Sequence, residues 1–396
     1  MSASLASRNL RLFVAFRATT RALLFAPYIQ FFIVETRGLT DAQYGALQGI
    51  YYLVVVLTEV PSGVVADRFG RRASLLAGAL AAAAGCFLFA LSETFALFVV
   101  AEVAFGLSTA LVSGADSALL YDSLAAGGRQ HEYARAEGAA QSSWLLLTAI
   151  GLPLADRYLV VDRDPVLAYW VTGGIMLLGA GAAFAMREPP RRRATMREIT
   201  VGALSDAARV PGIARVILYS IGVFALLRAS VVMLFHPALE AQGVAVDDYG
   251  KVLAVVNVAG ALAAWRAHRW LDRGERGFLV AMPVSMLGMF LLLATVRAPG
   301  ASFLFCVQGA VFGVYPLVIR SILNRLVPSA DRRATVLSLE SLACRIAFAP
   351  LALFTGWATG ALGFAAAMAG TALLACVPFA LLPLLPRPGA GGRAPV

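Results

Sequence analysis

One polar, glycine-containing segment constrains the fold most, because it lies between two apolar segments that are each long enough to cross a membrane. It is the decapeptide Gly63-Val-Val-Ala-Asp-Arg-Phe-Gly-Arg-Arg72. A chain that folds back here places Asp67 and Arg71 at a membrane surface, where an unpaired charge is costly. The whole chain is 60% hydrophobic and 14% charged, whereas soluble chains are about half apolar and a quarter charged. These features predict a multi-pass membrane protein.

Apolar runs of about 20 residues recur along the chain and predict membrane-spanning helices, because a helix satisfies its own backbone hydrogen bonds in lipid. The predicted fold class is an all-α integral membrane protein with twelve transmembrane helices in two pseudo-symmetric six-helix bundles. Runs and helix breakers give these helices: 11–34, 41–66, 72–92, 95–124, 134–158, 165–187, 213–239, 247–271, 277–297, 300–326, 333–359 and 362–385.

The division into two bundles rests on one long polar interruption and on a weak internal repeat. We predict an N-terminal bundle over 1–187, a cytoplasmic linker over 188–212 and a C-terminal bundle over 213–396. A shift of 198 residues places Arg135 on Arg333. Isolated matches can arise by chance in an Ala/Leu-rich chain, but the halves also agree in helix count, orientation and loop charge. Such a repeat suits a transporter with a central site between its halves.

The basic residues mark one side of the membrane rather than a nucleic-acid patch, although the formal net charge is +10. The predicted inner loops and termini carry most of the arginines. The opposite loops carry only Arg37, Arg157, Arg163, Lys251 and Arg297. This positive-inside asymmetry predicts that both termini lie in the cytoplasm and that the chain is a multi-pass protein of the inner (plasma) membrane.

The decapeptide resembles the signature loop G-x-x-x-D-R-x-G-R-R of the major facilitator superfamily, between the second and third helices. The chain resembles the drug/proton antiporter-like bacterial members, which implies the major facilitator fold. The resemblance also implies a cytoplasmic latch that closes the halves together, with Asp67 facing the N-terminus of helix eleven near Thr335 and Arg71 pairing with Asp122. The alternative is that these charges only set topology and turn geometry. The predicted latch residues are Gly63, Asp67, Arg68, Gly70, Arg71, Arg72 and Asp122.

Two further segments bear on this resemblance. Helix four carries Glu102-Val-Ala-Phe-Gly106 where many members have R-x-x-Q-G, so the role of that arginine does not carry over. Helix five carries Gly151-Leu-Pro153, a fragment of a motif associated with exporters.

Charges inside the predicted spans are the strongest candidates for a transport site, since each costs at least ~2.5–3.5 kcal/mol at the bilayer centre. Asp116 and Glu59 are the candidate proton carriers, although Glu59 could equally belong to the latch. Arg17 and Glu340 could instead snorkel to the inner surface. The cavity candidates are Arg21, Tyr28, Gln30, Gln141, Trp144, Arg228, Asn257, Gln308, Tyr315, Glu340 and Arg345. His236 is interpreted as a helix-end residue.

The leading functional prediction is a secondary active transporter that moves a small organic solute by alternating access, preferably by proton-coupled efflux. Uptake of a small organic anion is the alternative that Arg21, Arg228 and Arg345 suggest, because guanidinium groups bind carboxylates and phosphates in bidentate fashion. A membrane sensor or scaffold with a transporter fold is the alternative from another class. We predict no enzymatic activity, no cofactor and no metal site. The predicted partners are a small-molecule substrate, protons and the lipid bilayer, without nucleic acid, for a monomer.

Overall fold

The computed structural model describes residues 2–113, 115–188, 211–271, 276–327 and 330–384, and these parts are helical almost throughout. The long helices, numbered by membrane crossing, are α1 (Ser2–Arg21), α2 (Asp41–Phe69), α3 (Arg71–Leu91), α4 (Phe95–Val112, resumed as Ala115–Ala126), α5 (Tyr133–Tyr158), α6 (Val166–Ala185), α7 (Pro211–Arg228), α8 (Tyr249–Leu271), α9 (Arg276–Thr295), α10 (Phe305–Leu326), α11 (Ala330–Leu362) and α12 (Phe364–Leu381). Most of the predicted linker lies outside the described residues.

The lengths of these helices fit a bilayer. Ten stretches of the described chain are long and apolar enough to cross a membrane, among them Ala6–Thr36 and Phe95–Ala126. The remaining crossings are α2 and α8, with 29 and 23 residues. At 1.5 Å per residue these two helices reach about 43 Å and 35 Å, whereas the hydrocarbon core is about 30 Å thick. The described chain therefore forms an all-α, twelve-helix membrane protein.

Equivalent helices of the two halves pack in the same way. In the first half α2 packs on α4, and α1 packs on α5 and α6; in the second half α8 packs on α10, and α7 packs on α11 and α12. The halves meet through two long contacts, α2 along α11 and α5 along α8. The pseudo-symmetry that the sequence predicts is thus present in the helix packing.

Three helices are less regular than predicted. The predicted helix 11–34 is interrupted after Arg21 and resumes as Ala26–Tyr28, Ile29–Phe31 and a π-helical turn over Phe32–Thr36. The predicted helix 213–239 contains a second π turn, Ala229–Met233, followed by Phe235–Ala241. The predicted helix 95–124 breaks after Val112. The first helix of each half therefore carries a π turn near the same end, and such turns leave carbonyl groups free for other partners.

We call the side of the α2–α3 turn at Gly70 the motif face, and the side of the α1–α2, α5–α6 and α7–α8 turns the opposite face.

Glycines let the halves touch backbone to backbone at the opposite face. A Cβ atom on Gly356 of α11 would lie 2.4 Å from the carbonyl oxygen of Asp41, and one on Gly45 of α2 would lie 2.7 Å from that of Ala352. A Cβ atom on Gly250 of α8 would lie 2.5 Å from the carbonyl oxygen of Leu152. A larger residue at these three positions would therefore force the halves apart.

Candidate functional site

The signature loop forms a tight turn at the motif face. Gly70 joins α2 to α3 with a φ of +109°, which only glycine adopts without strain. The Arg71 guanidinium forms an ion pair with Asp122, which lies on the second segment of α4. The side chains of Asp67 and Thr335 lie outside the described residues, so their predicted contact stays a prediction.

Glu188 also contributes to this turn. Its two carboxylate oxygens accept hydrogen bonds from the backbone amides of Arg71 and Arg72, each at 2.9 Å, and so cap the N-terminus of α3. The guanidinium of Arg72 lies 5.0 Å from the ring centre of Phe184, and that of Arg68 lies 5.5 Å from the ring centre of Phe69. Gly63 is partly buried within α2. All of these contacts lie within the N-terminal half and the first residue of the predicted linker, Glu188, and none reaches the C-terminal half.

At the opposite face, Asp156 joins the two halves. This residue near the end of α5 is 5% exposed. Its oxygens accept hydrogen bonds from the backbone amides of Gly250 (2.8 Å) and Lys251 (2.7 Å), at the N-terminus of α8. They also accept a hydrogen bond from the hydroxyl of Tyr28, which is fully buried. A carboxylate at a helix N-terminus is stabilised by the free amides and the helix dipole.

We call the contacts of Asp156 and Tyr44 with the C-terminal half, together with the three glycine contacts, the seal at the opposite face. Two predicted cavity residues lie at this face. Tyr28 contacts Asp156 as described, and the Gln30 amide donates to Asp41 at 2.9 Å. The prediction missed this placement because the interruption after Arg21 changes the direction in which later side chains point. The fully buried Tyr44 adds a contact between halves, since its hydroxyl donates to the carbonyl oxygen of Val232 in the π turn of α7 (2.5 Å).

Asp116 lies in an arginine-rich network within the N-terminal half. Arg17 Nε lies 2.6 Å from Asp116 Oδ2, and both side chains are buried, so Arg17 does not snorkel to the surface. Arg21 Nη2 lies 3.9 Å from the same oxygen. Glu137 of α5 accepts from Ser117 (2.7 Å) and lies 3.5 Å from Arg17. Removing either partner of such a buried pair leaves an uncompensated charge, which favours a structural role for Asp116 over the predicted role as proton carrier.

Near the middle of the molecule, one ion pair joins the halves. Arg345 Nη1 of α11 lies 2.8 Å from Glu59 Oε2 of α2, and both side chains are about one-fifth exposed. The other oxygen of Glu59 accepts from the Ser113 hydroxyl at 2.9 Å. The pair therefore holds α2, α4 and α11 together at a position that solvent can reach.

Aromatic rings of α2, α7 and α11 pack against one another beside Phe348, which lies one helical turn after Arg345, and a second arginine joins them. Tyr52 of α2 and Phe348 of α11 have ring centres 4.8 Å apart, and Phe224 of α7 lies 6.1 Å from Phe348. The guanidinium of Arg228 lies 5.6 Å from the Phe224 ring centre. No ion pair of Arg228 with a described side chain is found. We define the central cluster as Glu59, Arg345, Arg228, Tyr52, Phe224 and Phe348.

Glu102 is a further carboxylate that the sequence analysis did not place among the site residues. It is 3% exposed in α4 and accepts a hydrogen bond from the Gln48 amide of α2 at 3.0 Å. Among described side chains no cation pairs with it. Burial of a carboxylate beside a neutral amide is costly in the ionised form.

The remaining predicted residues are scattered. Glu340 accepts from the Tyr315 hydroxyl at 2.8 Å, which links α11 to α10 within the C-terminal half. Gln308 is buried, Asn257 is half-buried and Gln141 is exposed. Trp144 is half-buried in α5. The structure brings none of Gln141, Gln308 and Asn257 into a described contact with the central cluster.

Comparison with known proteins identifies the family. The sequence profile of the Major Facilitator Superfamily matches residues 12–303, which is more than half of the chain. The chain belongs to the major facilitator superfamily. No curated protein sequence matches it at a significant level.

Solved structures agree with this membership of the major facilitator superfamily. The nucleoside transporter NupG superposes with a TM-score of 0.74 at 13% identity, covering 96% of this chain and 98% of that one. A bacterial homologue of the human lysosomal transporter Spinster, inward-facing and unoccupied, gives 0.74 at 15% identity, covering 97% and 96%. A D-xylose–proton symporter gives 0.69 at 16% identity, covering 96% of both chains. At these identities the comparison shows the shared fold alone, and with the family it makes the chain a membrane transporter rather than an enzyme.

Three residues of this transporter were missed by the sequence analysis for one common reason. Asp156 and Glu188 belong to no signature run of the major facilitator superfamily in this chain, and Glu102 stands where many members have an arginine. Their partners are distant in sequence, with Asp156 reaching the start of α8. One signal was available for Glu102, because a carboxylate in the middle of an apolar helix is rare without a function.

Proposed function

We propose that the chain is a proton-coupled transporter of the inner membrane that exports a small organic solute by alternating access. The arginine-rich motif face is assigned to the cytoplasm by the positive-inside asymmetry. The seal at the opposite face then lies outside, and its contacts between the halves are the ones that break when the transporter opens outwards. The predicted bundles 1–187 and 213–396 are the two rocking units in this proposal.

The observation that carries the proton coupling is the Glu59–Arg345 ion pair between α2 and α11. Protonation of Glu59 removes its charge and leaves Arg345 without its ionic partner. A change of 1.4 kcal/mol in the stability of one state changes the populations about tenfold. A proton on Glu59 can therefore shift the balance between two arrangements of the halves, which is what coupling requires.

Glu102 supplies a second proton site in this proposal. Its carboxylate lies beside Gln48, where an ionised group would face a neutral amide in a dry interior. A rearrangement of α2 and α4 within the N-terminal bundle, in addition to the rocking of the two bundles, would expose it to water, where the ionised form is stable. Glu102 would thus take up a proton on one side and release it on the other. Asp116 is assigned a structural role, and Asp116→Asn is expected to lower the yield of folded protein by freeing Arg17.

The central cluster supports a solute with an apolar or aromatic body. Tyr52, Phe224 and Phe348 offer ring faces, and Arg228 offers planar donors. Stacking on aromatic rings and bidentate hydrogen bonding together fix the orientation of such a solute. The same Arg228 favours a second candidate function, uptake of a small organic anion, since its guanidinium has no ionic partner among the described side chains.

Transport in oriented membranes tests the direction and the coupling. Inverted vesicles with an acidic lumen should accumulate a fluorescent or radiolabelled solute, and a protonophore should abolish the accumulation. Accumulation in right-side-out vesicles placed in acidic medium would favour the uptake candidate instead. Absence of flux in both orientations, across aromatic, anionic and cationic solutes, would favour the sensor or scaffold alternative.

Matched carboxylate variants test the assignment of the proton. Glu59→Gln should abolish pH-driven accumulation while downhill exchange of solute continues, because the neutral amide cannot release a proton. Glu340→Gln is the control, since that carboxylate contacts Tyr315 within one half and should leave coupling unchanged. Wild-type accumulation by Glu59→Gln would contradict its role and leave Glu102→Gln as the informative variant.

A further inference from the structure

A group of metal-ligating side chains lies at the opposite face, outside the central cluster. Glu35 comes from the π turn that ends the first membrane crossing, in the N-terminal half. His236 and Glu240 lie one helical turn apart on Phe235–Ala241, in the C-terminal half. One ligand atom from each of the three lies within 4.8 Å of the other two. The group therefore spans the boundary between the halves.

The distances suit a small divalent cation. His236 Nε2 lies 3.9 Å from Glu35 Oε1 and 4.0 Å from Glu240 Oε2, which is beyond hydrogen-bond distance. Zinc ligands lie about 2.0–2.2 Å from the metal, so ligand atoms in a tetrahedral site are about 3.3 Å apart. The two carboxylates are 49% and 65% exposed, so they have room to move by the roughly 0.6–0.7 Å that the two histidine distances require.

The imidazole of His236 is fixed in the orientation that such a site needs. Its side chain is 5% exposed, and Nδ1 lies 3.1 Å from the hydroxyl oxygen of Tyr249. When Nδ1 donates to that oxygen, Nε2 keeps its lone pair and points towards the carboxylates. The ring also packs edge-on against Phe31 at 5.5 Å between centres. A hydrogen bond from the second ring nitrogen is the usual support of a metal-bound histidine.

Space for the ion and its water is present on both sides of His236. Two cavities of about 250 Å³ each contain Glu35, His236 and Glu240 in their walls. Arg163 lines one cavity and Asp41 lines the other. The positive charge of Arg163 partly offsets the negative charges of Glu35 and Glu240. This weakens the binding of hard cations, because they are held by charge alone. One imidazole and two carboxylates offer three nitrogen and oxygen ligands, and a zinc ion with three protein ligands keeps its fourth position open for water.

We propose that Glu35, His236 and Glu240 form an external binding site for a divalent transition metal such as Zn²⁺ or Ni²⁺. The bound ion bridges the two halves and holds the opposite face closed. External Zn²⁺ therefore inhibits the transport cycle, because it stabilises the state in which the opposite face is closed. Metal binding does not depend on the solute or on proton coupling, whereas the inhibition rests on the proposed alternating access.

The binding test uses the full-length, tag-free protein in detergent and titrates Zn²⁺ by calorimetry. We expect one site per chain, and Glu35→Gln should weaken the affinity for Zn²⁺ by roughly tenfold or more. His236→Asn should do the same, and His131→Asn is the control because that exposed histidine lies outside the group. Glu35 is half-exposed, so Glu35→Gln is the variant least able to disturb folding.

Three outcomes would overturn the proposal. Absence of saturable Zn²⁺ binding to the wild-type protein would remove the site. Unchanged affinity in both Glu35→Gln and His236→Asn would place the metal elsewhere. Loss of binding in His236→Asn with full binding in Glu35→Gln would restrict the metal to one half and refute the bridge. Because calorimetry needs no flux, a failure of the proposed transport function is distinguishable from a failure of this site.

Discussion

The two faces of the molecule use similar contacts for different purposes. At the motif face, the Arg71–Asp122 ion pair and the Glu188 cap both stay within the N-terminal half. At the opposite face, Asp156 of the first half caps α8 of the second half, and Tyr44 reaches Val232 across the same boundary. A carboxylate on a helix N-terminus thus stabilises one bundle in the first case and one arrangement of two bundles in the second. What matters for gating is which helices a contact joins, more than its chemistry.

The largest effect is expected from Gly356→Val, which tests whether backbone contact closes the opposite face. Its Cβ atom would lie 2.4 Å from the Asp41 carbonyl oxygen, and neither backbone can yield. Overpacking of this kind costs up to about 3 kcal/mol, so closure should be lost and transport should fall more than tenfold. Single-cysteine labelling from the outside measures the opening. Gly288→Val is the control, because nothing lies within 4 Å of its added Cβ atom; equal labelling in both variants would contradict the backbone seal.

A smaller shift of the same kind is expected from Asp156→Ala. The change removes the acceptor of three hydrogen bonds and leaves the Tyr28 hydroxyl and two amides of α8 without it. Hydrogen bonds to a charged group contribute about 1.5–3 kcal/mol, so the outward-open population should rise roughly tenfold. External labelling of a cysteine placed in the central cluster reports this population. Asp164→Ala is a surface control on the same side, and a matching response from it would mean that Asp156 has no special role.

Asp122→Ala tests the other half of the comparison. Because its ion pair with Arg71 stays within one bundle and both side chains are one-quarter exposed, the loss should be about 1 kcal/mol of stability. The external labelling pattern should stay as in the wild type, while the melting temperature in detergent falls slightly. A double-mutant cycle with Arg71→Ala isolates the pair energy. A change in labelling as large as that of Asp156→Ala would break the distinction between the two faces.

The smallest effect is expected from Glu188→Gln. The amide side chain keeps one oxygen that can accept from one of the two α3 amides, and water can reach the other amide because Glu188 is exposed. The main loss is then the interaction of charge with the helix dipole, which is worth about 0.5 kcal/mol. Thermal unfolding at two salt concentrations checks this, because the wild-type advantage should shrink at high salt. A loss of transport beyond twofold would indicate that Glu188 also acts between the halves.

The sequence predicted the parts of the fold that depend on local pattern. Apolar run length located most of the twelve helices within a few residues, although the first begins at Ser2 rather than at residue 11. The spacing in the decapeptide placed a turn at Gly70 that the structure shows at φ +109°. The residues that join the halves were not predictable in this way. Asp156 has no neighbour in sequence that marks it, and its partners follow from the angle at which α5 meets α8. The roles assigned to Asp67, Glu59 and Asp116 stay predictions for experiment.

The irregular turns show a second limit of sequence reasoning. The residues of Phe32–Thr36 and Ala229–Met233 read as ordinary helix, since a π turn differs from an α turn by one extra residue rather than by composition. The extra residue rotates the side chains that follow the turn, whereas Tyr28 and Gln30 precede it and are displaced by the interruption after Arg21. The sequence analysis did not associate Glu35 with His236, because Glu35 lies within one π turn and His236 follows the other.

The glycine contacts at the opposite face have a consequence for how this transporter responds to salt. Gly45 and Gly356 touch the other half through backbone atoms that carry no net charge. Interactions between exposed charges are largely screened beyond about 8 Å at physiological ionic strength, and more strongly in brine. Backbone packing has no such dependence. A change from dilute to salty surroundings should therefore leave this backbone part of the contact between the halves unaltered.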